Sequence, residues 1–394
     1  MFSDFEHAIS RLGTDAEKYE LRQRLFGSET VLPMWVADQD LPTPNFILEA
    51  LKRRLQHPIL GYTVMPDSLY QSIIDWQAQY GYGVKASDIL FTHNVANGFF
   101  MAVAAFSQPG DAVLVQPPIY PPFLQAPEHN GRRLVEAPLV LQDNRYQIDF
   151  EAFEAAITEN DVKLFLFCNP QNPSGRVWRR EELQRLADIC LKHGVRVVSD
   201  EIHADMTFAP LQHTPMASLS EAVAHNTVTL SSPGKTFNLG GLQSGYAIIA
   251  NRALKAAYLK VCRANSIHDL NLFGQIAIQA AYSEAGKAYR DTLLAHLQHN
   301  IDRLEQTLAD GLSAVRVMRP EASFLVWLDF SAVFDSQEAL KRWLTETAQL
   351  GLNDGESFGL VGKGFMRINI AVPTETMDEA LKRFQMAAKA LNSL

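Results

Sequence analysis

Residues 162–168 read VKLFLFC and run directly into NPQNPSG at 169–175. A short, mostly apolar run that ends at asparagine, proline and glycine is typical of a buried strand followed by a turn. Residues 180–193 then have a helical period and precede Gly194, a residue suited to the position after a helix C-terminus. A second apolar run, VRVVSD, follows at 195–200. This order predicts two parallel strands joined by a helix.

The same alternation extends in both directions along the chain. A helix is predicted to begin near Val95, and the prolines of PPIYPP are predicted to stop any regular element. Further strands are predicted at DILFT (88–92), AVLVQ (112–116), TVTLSS (227–232) and GYAIIA (245–250). Apolar strands that alternate with helices indicate an α/β fold with a mostly parallel sheet covered on both faces. Ligands in such sheets bind at the carboxyl ends of the strands.

The pattern changes after about residue 265 to long helices and fewer strands. Strands are predicted at 323–330 and 364–372, and helices near 336–349 and over 374–391. This part of the chain predicts a smaller α+β lobe, joined by the N-terminal residues.

Composition excludes several classes of protein. The 394 residues carry 35 basic and 44 acidic side chains, a net charge of −9, and KRR at 52–54 is a short solvated cluster rather than a nucleic-acid surface. The three cysteines show no metal-binding spacing and predict reduced thiols. Residues 89–110 carry no charge, but their internal THNVANG indicates a strand, a turn and a buried helix rather than a membrane span. With no signal-peptide pattern at the N-terminus, we expect a soluble, cytoplasmic protein.

The stretch TLSSPGKTFNLGG at 229–241 raises two possibilities for Lys235. The sequence Gly-Lys-Thr at 234–236 ends a phosphate-binding loop, but the full nucleotide pattern requires glycine where this chain has Thr229. Alternatively, Lys235 forms a covalent bond with a carbonyl compound. Such a site needs a carboxylate, hydrogen-bonding groups and a phosphate-binding turn, and the predicted strand ends supply these residue types.

Five segments together resemble one known family. They are MWVADQD, YPPF, NPQNPSGRVW, VVSDEIHAD and SSPGKTFNLGGLQ, and they occur in this order along the chain. The chain resembles fold-type-I pyridoxal-phosphate enzymes of the aminotransferase class I/II superfamily, and most closely the cystathionine β-lyase and cystalysin-like C–S lyase branch. The resemblance implies pyridoxal 5′-phosphate as cofactor and a large domain over 51–280 with a seven-stranded, mostly parallel sheet. It also implies a smaller α+β domain formed by 1–50 and 281–394.

The resemblance assigns roles around the cofactor ring. Lys235 is expected to anchor the cofactor covalently and to move the Cα proton of the substrate, since an amine close to neutrality can act as a base. Asp200 is expected to pair with the ring nitrogen, and Tyr120 to stack on the ring. Asn172 and His203 are expected near the phenolic oxygen, although His203 could instead be a buried histidine with a structural role.

The cofactor phosphate is expected at a helix start. Asn94, Val95 and Ala96 open the helix after ILFT, where free amide groups and the helix dipole favour an anion. Ser232 has the spacing of the family's phosphate-binding serine. Tyr62 resembles the tyrosine that reaches the phosphate of a neighbouring subunit, which implies a homodimer with shared active sites.

Arg367 resembles the arginine that binds the substrate α-carboxylate, a task suited to its planar pair of donors. Ala37 and Asp38 are expected near the same carboxylate. Four positions depart from the family pattern. Gln171 stands where a histidine is often found, and Thr374 stands where the lyase branch often has arginine. Gly234 stands where a small polar residue is expected, and Gln243 stands where many aminotransferases have a phosphate-binding arginine.

The function implied is a pyridoxal-phosphate-dependent C–S β-lyase that acts on L-cystathionine or related cysteine S-conjugates and releases a thiol, pyruvate and ammonia. An aminotransferase of class I/II is the alternative, because both reactions use the same lysine, aspartate and arginine. A non-catalytic regulatory module is a third possibility, but such modules are joined to a basic helix-turn-helix arm, which this sequence lacks. Neither a metal, a nucleic acid nor a membrane is expected as a partner.

Overall fold

The computed structural model describes residues 5–267 and 269–391. Within these ranges the strands form a seven-stranded sheet, a four-stranded sheet and two smaller pairs. The strands are β1 (Leu32–Pro33), β2 (Ile89–Thr92), β3 (Ala112–Val115), β4 (Arg133–Glu136), β5 (Val140–Gln142), β6 (Arg145–Gln147), β7 (Val162–Cys168), β8 (Arg196–Asp200), β9 (Thr227–Ser231), β10 (Gly245–Ile248), β11 (Arg316–Met318), β12 (Leu325–Asp329), β13 (Leu350–Gly351), β14 (Asn353–Asp354) and β15 (Phe365–Asn369).

Helices cover the sheets and connect most of the strands. They are α1 (Glu17–Glu20), α2 (Arg22–Phe26), α3 (Asn45–Leu55), α4 (Asp67–Ala78), α5 (Val95–Phe106), α6 (Pro121–His129), α7 (Phe150–Asn160), α8 (Arg180–Lys192), α9 (Glu221–Asn226), α10 (Arg252–Ala264), α11 (Leu272–Ala281), α12 (Glu284–Gly311), α13 (Gln337–Arg342) and α14 (Thr374–Leu391).

The large sheet confirms the predicted fold class. Its strand order is β2-β10-β9-β8-β7-β3-β4, and every neighbouring pair from β9 to β4 is parallel. Only β10 runs in the opposite direction, since it pairs antiparallel with both β2 and β9. In the parallel register Cys168 lies opposite Asp200, and Asp200 opposite Leu230. The carboxyl ends of β7, β8 and β9 therefore meet at one edge.

The smaller sheet has the order β11-β12-β15-β14 and is antiparallel. One of its two central strands, β15, carries Arg367 opposite Trp327. Strand β1 near the N-terminus pairs with β13 near the C-terminus, which supports joining the N-terminal segment to the C-terminal lobe. The domain boundaries at residues 50 and 280 stay a prediction.

The structure differs from the predicted elements at two places. Helix α6 begins at Pro121, within the segment predicted to stop regular structure. Proline is tolerated in the first turn of a helix because the amides there have no acceptor within the helix. The helix predicted over 336–349 ends at Arg342 and continues as a π-helical turn at Trp343–Thr347. The uncharged stretch from residue 89 forms β2 and α5, and no helix in the described ranges is long and apolar enough to cross a membrane.

A tight turn after β7 joins the two lobes. Gly175 has φ +70°, and its carbonyl accepts hydrogen bonds from the amides of Glu321 at 3.0 Å and Ala322 at 2.9 Å. A Cβ atom at position 175 would lie only 2.4 Å from Cβ of Pro320. Both the backbone angle and the close packing therefore require glycine here.

We expect Gly175→Ala to lower the free energy of unfolding by about 3 kcal/mol or more, because left-handed strain and steric overlap add together. Gly194→Ala is the matched control, since Gly194 has φ +68° but nothing within 4 Å of a Cβ atom. That change should cost only about 1 kcal/mol. Urea denaturation followed by circular dichroism measures both; equal losses would contradict the role of the packing against residue 320.

Candidate active site

A cavity of about 250 Å³ lies at the carboxyl ends of the central strands of the large sheet. Most of the residues predicted from the sequence line it, although Arg367 and Tyr62 do not. The predicted residues on its wall are Ala37, Asp38, Asn94, Val95, Ala96, Tyr120, Asn172, Asp200, His203, Ser232 and Lys235.

Lys235 follows β9 and presents its amine to the cavity. Its Nζ donates a hydrogen bond to the main-chain oxygen of Ala37 at 2.6 Å. Burial lowers the pKa of the Lys235 amine to about 8, and the nearby positive charge of Arg367 acts in the same direction. A larger fraction of a lysine with this pKa is neutral near physiological pH than of a surface lysine, so it can act as a nucleophile and as a base.

Asp200 ends β8 and is buried. Its Oδ1 accepts a hydrogen bond from the amide of Ile202 at 3.1 Å. Burial raises the pKa of the carboxyl group to about 7 despite that hydrogen bond and the positive charge of Lys235. The environment therefore disfavours the charged Asp200 carboxylate, and a cationic group bound in the cavity would stabilise it.

Arg367 is buried beside the cavity and is held by neutral oxygen atoms. Its Nη1 donates to Oδ1 of Asn172 at 3.0 Å, and its Nη2 donates to Oδ1 of Asn353 at 2.6 Å and to the main-chain oxygen of Trp35 at 3.1 Å. The guanidinium carbon lies 4.8 Å from the centroid of the Phe358 ring. Burial lowers the pKa of Arg367 to about 10, which still leaves it cationic at neutral pH. Because these acceptors are neutral, the positive charge of Arg367 is not cancelled and is available to bind a carboxylate.

His203 is buried. Its Nδ1 has no hydrogen-bond partner in the described part of the chain, and its ring meets the edge of Phe324 at 6.3 Å between centroids. Burial and the positive charges of Lys235 and Arg367 lower the pKa of His203 to about 3. The neutral imidazole is therefore available as a hydrogen-bond donor or acceptor to a bound molecule.

The predicted phosphate-binding end is formed by the start of α5. Asn94 caps the helix, and its side chain accepts a hydrogen bond from the amide of Asn97 at 2.8 Å. Val95 and Ala96 occupy the first helical positions, whose amides have no acceptor within a helix, and both line the cavity. Ser232 lines the same cavity.

Two of the departures from the family pattern, at Gly234 and Gln243, have a structural description. The amide of Gly234 donates to Oγ of Ser232 at 3.0 Å, and a Cβ atom at position 234 would approach that oxygen to 3.0 Å. Glycine therefore lets the loop fold closely over the serine. Gln243 lines the cavity from an exposed position with φ +49°, so its side chain lies at the wall without adding positive charge.

The structure also shows residues that the sequence analysis missed. Gln39 holds the loop after β9, since its Nε2 donates to the main-chain oxygens of Lys235 at 2.6 Å and Thr236 at 3.1 Å. Asn353 and Asn369 hold Arg367 and the 36–38 segment respectively. Gln39 lies inside the quoted MWVADQD motif, which could have indicated it. The two asparagines have no comparable signal, because Asn369 contacts a segment more than 330 residues away and Asn353 reaches Arg367 only through the pairing of β14 with β15.

The nucleotide-loop possibility is not supported by the geometry. Thr229 lies within β9 and is buried, so no loop glycine is needed at that position. No cluster of metal-binding side chains was found among the described residues.

Comparisons with known proteins identify the family. The family model for aminotransferase class I and II matches residues 35–384, which is most of the chain. The chain belongs to the aminotransferase class I and II family. The match includes the cavity wall from residue 37 to residue 244.

Individual relatives cover almost the full length. The chain is 42% identical over 385 residues to the cystathionine beta-lyase PatB of Bacillus subtilis, with 98% of this chain and 99% of that protein covered. The crystal structure of cystalysin from Treponema denticola, which contains a pyridoxal 5′-phosphate cofactor, superposes with a TM-score of 0.96 at 32% identity, covering 99% of this chain and 100% of that one. A PLP-bound C–S lyase from Staphylococcus hominis gives a TM-score of 0.89 at 31% identity, covering 98% and 97%.

We expect Asp200→Asn to stabilise the chain prepared without cofactor, by an amount that depends on pH. Because the folded chain raises the pKa of Asp200 to about 7, it binds this proton more tightly than the unfolded chain. The resulting stability is present below about pH 4 and is lost as the pH rises to about 7. The gain from the neutral asparagine should therefore grow across this range, reach about 1–3 kcal/mol, and stay constant above it.

Melting temperatures of the two forms between pH 4 and pH 8 measure this difference. Asp188→Asn on the exposed face of α8 is the matched control and should show no such trend. A gain from Asp200→Asn that does not change with pH would contradict the effect of burial on the carboxyl group.

Proposed function

We propose that the protein is a pyridoxal-phosphate-dependent C–S β-lyase that cleaves L-cystathionine or a related cysteine S-conjugate to a thiol, pyruvate and ammonia. One observation carries the proposal. A cavity at the carboxyl ends of parallel strands contains the amine of Lys235 and the buried carboxyl group of Asp200. Burial lowers the pKa of that amine to about 8. The full-length similarity to a cystathionine beta-lyase and to cystalysin supports this choice of reaction.

The residues present fit pyridoxal phosphate. The amides of Val95 and Ala96 and the hydroxyl of Ser232 would hold the phosphate, since a helix N-terminus favours an anion. Asp200, whose buried carboxylate lacks a strong cationic partner, would accept a hydrogen bond from the protonated ring nitrogen. Lys235 would hold the cofactor covalently through its amine.

The rest of the ring environment also fits. His203, whose Nδ1 has no partner within the described ranges, and Asn172 would lie near the phenolic oxygen. Tyr120, at the start of α6, would stack on the ring. When bound, pyridoxal phosphate supplies an electron-withdrawing ring that makes the Cα–H bond of an attached amino acid acidic.

The side chains of this protein then orient the substrate and move its proton. Arg367 binds the α-carboxylate through its charge and the N–H groups that its own hydrogen bonds leave free, and Asn172 and Asn353 fix the plane of the guanidinium group. With the carboxylate held, Lys235 takes the proton from Cα, and a pKa of about 8 suits it to do so near neutral pH. Loss of the thiolate from Cβ follows. Overall, cystathionine and water yield homocysteine, pyruvate and ammonia.

We expect the purified holoenzyme to cleave both L-cystathionine and S-methylcysteine with no keto acid added. From each substrate, thiol and pyruvate should be released in equal amounts. L-Alanine, which has no leaving group on Cβ, should give no pyruvate without an acceptor. Lys235→Ala should lower the turnover by about 10⁴-fold or more, because the base is lost. Thiol and pyruvate assays measure the first two results, and borohydride reduction followed by peptide mapping should place the cofactor on Lys235.

The control for these assays is Lys52→Met, an exposed lysine on α3 that should leave the turnover unchanged. Product formation that requires a keto acid would instead indicate an aminotransferase. Labelling of another lysine, or of none, would contradict the site assignment as a whole.

A homodimer with shared active sites is part of the proposal. Tyr62 lies outside the cavity of its own chain, in an exposed stretch between α3 and α4 with neither helix nor strand. The apolar residues Ile59, Leu60 and Val64 on the same stretch are also exposed. An exposed stretch of this kind is suited to pack against a second copy, where Tyr62 would reach the phosphate. The three buried free cysteines support the expected location in the reducing cytoplasm.

We expect two inactive variants to restore activity when mixed. If Tyr62 serves the neighbouring subunit, a heterodimer of Tyr62→Ala with Lys235→Ala contains one intact site, and random exchange of subunits should recover about one quarter of the original sites. Subunits are exchanged in mild denaturant and assayed for pyruvate, with each variant treated alone as the control. Activity of the mixture equal to the mean of the two parents would contradict sharing.

A further inference from the structure

Lys18 is a fully buried lysine within a cluster of four charges. Its Nζ lies 3.0 Å from Oδ1 of Asp38 and 3.1 Å from Oδ2 of Asp40. Arg11 completes the cluster, since its Nη2 and Nη1 lie 2.7 Å from Oδ2 of Asp38 and Oδ1 of Asp40 respectively. Two cations therefore balance two carboxylates in the cluster.

The cluster is attached to the segment that contacts Lys235. The main-chain oxygen of Ala37 accepts a hydrogen bond from Lys235 Nζ at 2.6 Å, and Gln39 Nε2 donates to the main-chain oxygen of Lys235 at 2.6 Å. Asp38 and Asp40 alternate with these two residues. The ion pairs of Lys18 thus fix the backbone segment that contacts both the side-chain amine and the main chain of Lys235.

Asp38 also creates an electrostatic difficulty. It lines the cavity that would receive an amino acid whose α-carboxylate is negatively charged. Alone, its carboxylate would repel that group and would stabilise the ammonium form of Lys235. The ion pairs with Lys18 and Arg11 cancel this charge without removing the side chain from the wall.

We propose that Lys18, assisted by Arg11, is a positioning residue for the active site: it holds the 37–40 segment against Lys235 and keeps the adjacent cavity wall free of net negative charge. The inference rests on the proposed function for its meaning in catalysis. Its effect on Lys235 is a property of the folded chain and can be measured without substrate.

Several groups influence the Lys235 amine. Burial lowers its pKa most, and the negative charge of Asp38 raises the pKa while the positive charge of Lys18 lowers it. The charged and titratable groups around the amine are Lys18 and Asp38 from the N-terminal segment, Asp200 from the end of β8, Arg367 from β15, Tyr120 at the start of α6 and His203 after β8. Neutral substitutions at positions 18 and 38 should therefore shift the pKa of Lys235 in opposite directions.

The test measures how the reactivity of each amine varies with pH in the protein prepared without cofactor. Brief labelling with acetic anhydride between pH 6 and pH 10, followed by peptide mass spectrometry, gives the midpoint for Lys235. We expect Lys18→Met to raise this midpoint by about one pH unit, because Arg11 alone then faces Asp38 and Asp40 and the cluster carries a net negative charge. Asp38→Asn should lower it, and the double variant should lie near the original value.

Lys52→Met is the matched control, since Lys52 is an exposed lysine paired with Glu49. It should not move the Lys235 midpoint. If Lys18→Met does not fold, Asp38→Asn and Arg11→Met still test the proposal, and they should shift the midpoint down and up respectively. A folded Lys18→Met protein with an unchanged midpoint, or an upward shift in Asp38→Asn, would overturn it.

Kinetics of the holoenzyme then separate this inference from the proposed function. Lys18→Met should raise KM for L-cystathionine by about tenfold with a smaller change in kcat, because repulsion acts on the entering carboxylate. If Lys18 had a purely structural role, Lys18→Met would lower the melting temperature without raising KM more than it changes kcat. If the midpoints shift as expected but no thiol is released from cystathionine, the proposed function fails while the role of Lys18 stands.

Discussion

Parallel pairing of β7, β8 and β9 is the constraint on which the candidate site depends. It brings Cys168, Asp200 and Leu230 into adjacent register, so the turns that follow these strands must open toward one another. Asn172 and Lys235, which are far apart in the sequence, thereby reach one cavity. The sheet supplies the positions, and long-range contacts from both chain ends complete the site.

The site keeps its ionisable groups in poorly solvated surroundings. Burial moves the pKa values of Asp200, Lys235 and Arg367 toward neutrality, and the hydrogen-bond acceptors around Arg367 are uncharged. These groups make the chain less stable than apolar replacements would, as is common where a site is prepared for charged ligands. The ring nitrogen, phosphate and carboxylate of the proposed ligands carry the complementary charges. Binding would therefore be coupled to stability.

Local patterns predicted the large sheet, and the family resemblance added the roles of the residues at the strand ends and the placement of Ala37 and Asp38. Apolar runs that end in Asn, Asp or Ser identified the strands and the side chains at their ends. The direction of β10 could not be predicted, because its apolar sequence is the same whether it pairs parallel or antiparallel. Lys18 was missed for a related reason, since a single lysine in a charged segment gives no sign that it is buried against Asp38 and Asp40. Neighbouring residues determine local structure, but burial depends on distant partners.

The pairing of β1 with β13 and the contacts of Asn369 have a consequence for synthesis on the ribosome. Asn369 Nδ2 donates to the main-chain oxygens of Val36 at 2.7 Å and Asp38 at 2.5 Å, so the segment beside Lys235 is held by a residue close to the C-terminus. The seven strands of the large sheet are complete by residue 248 and can fold early during translation. The part of the support of the wall around Ala37 that Asn369 provides arrives only after β15 has left the exit tunnel. A nascent chain would thus carry a formed sheet before it carries a working site.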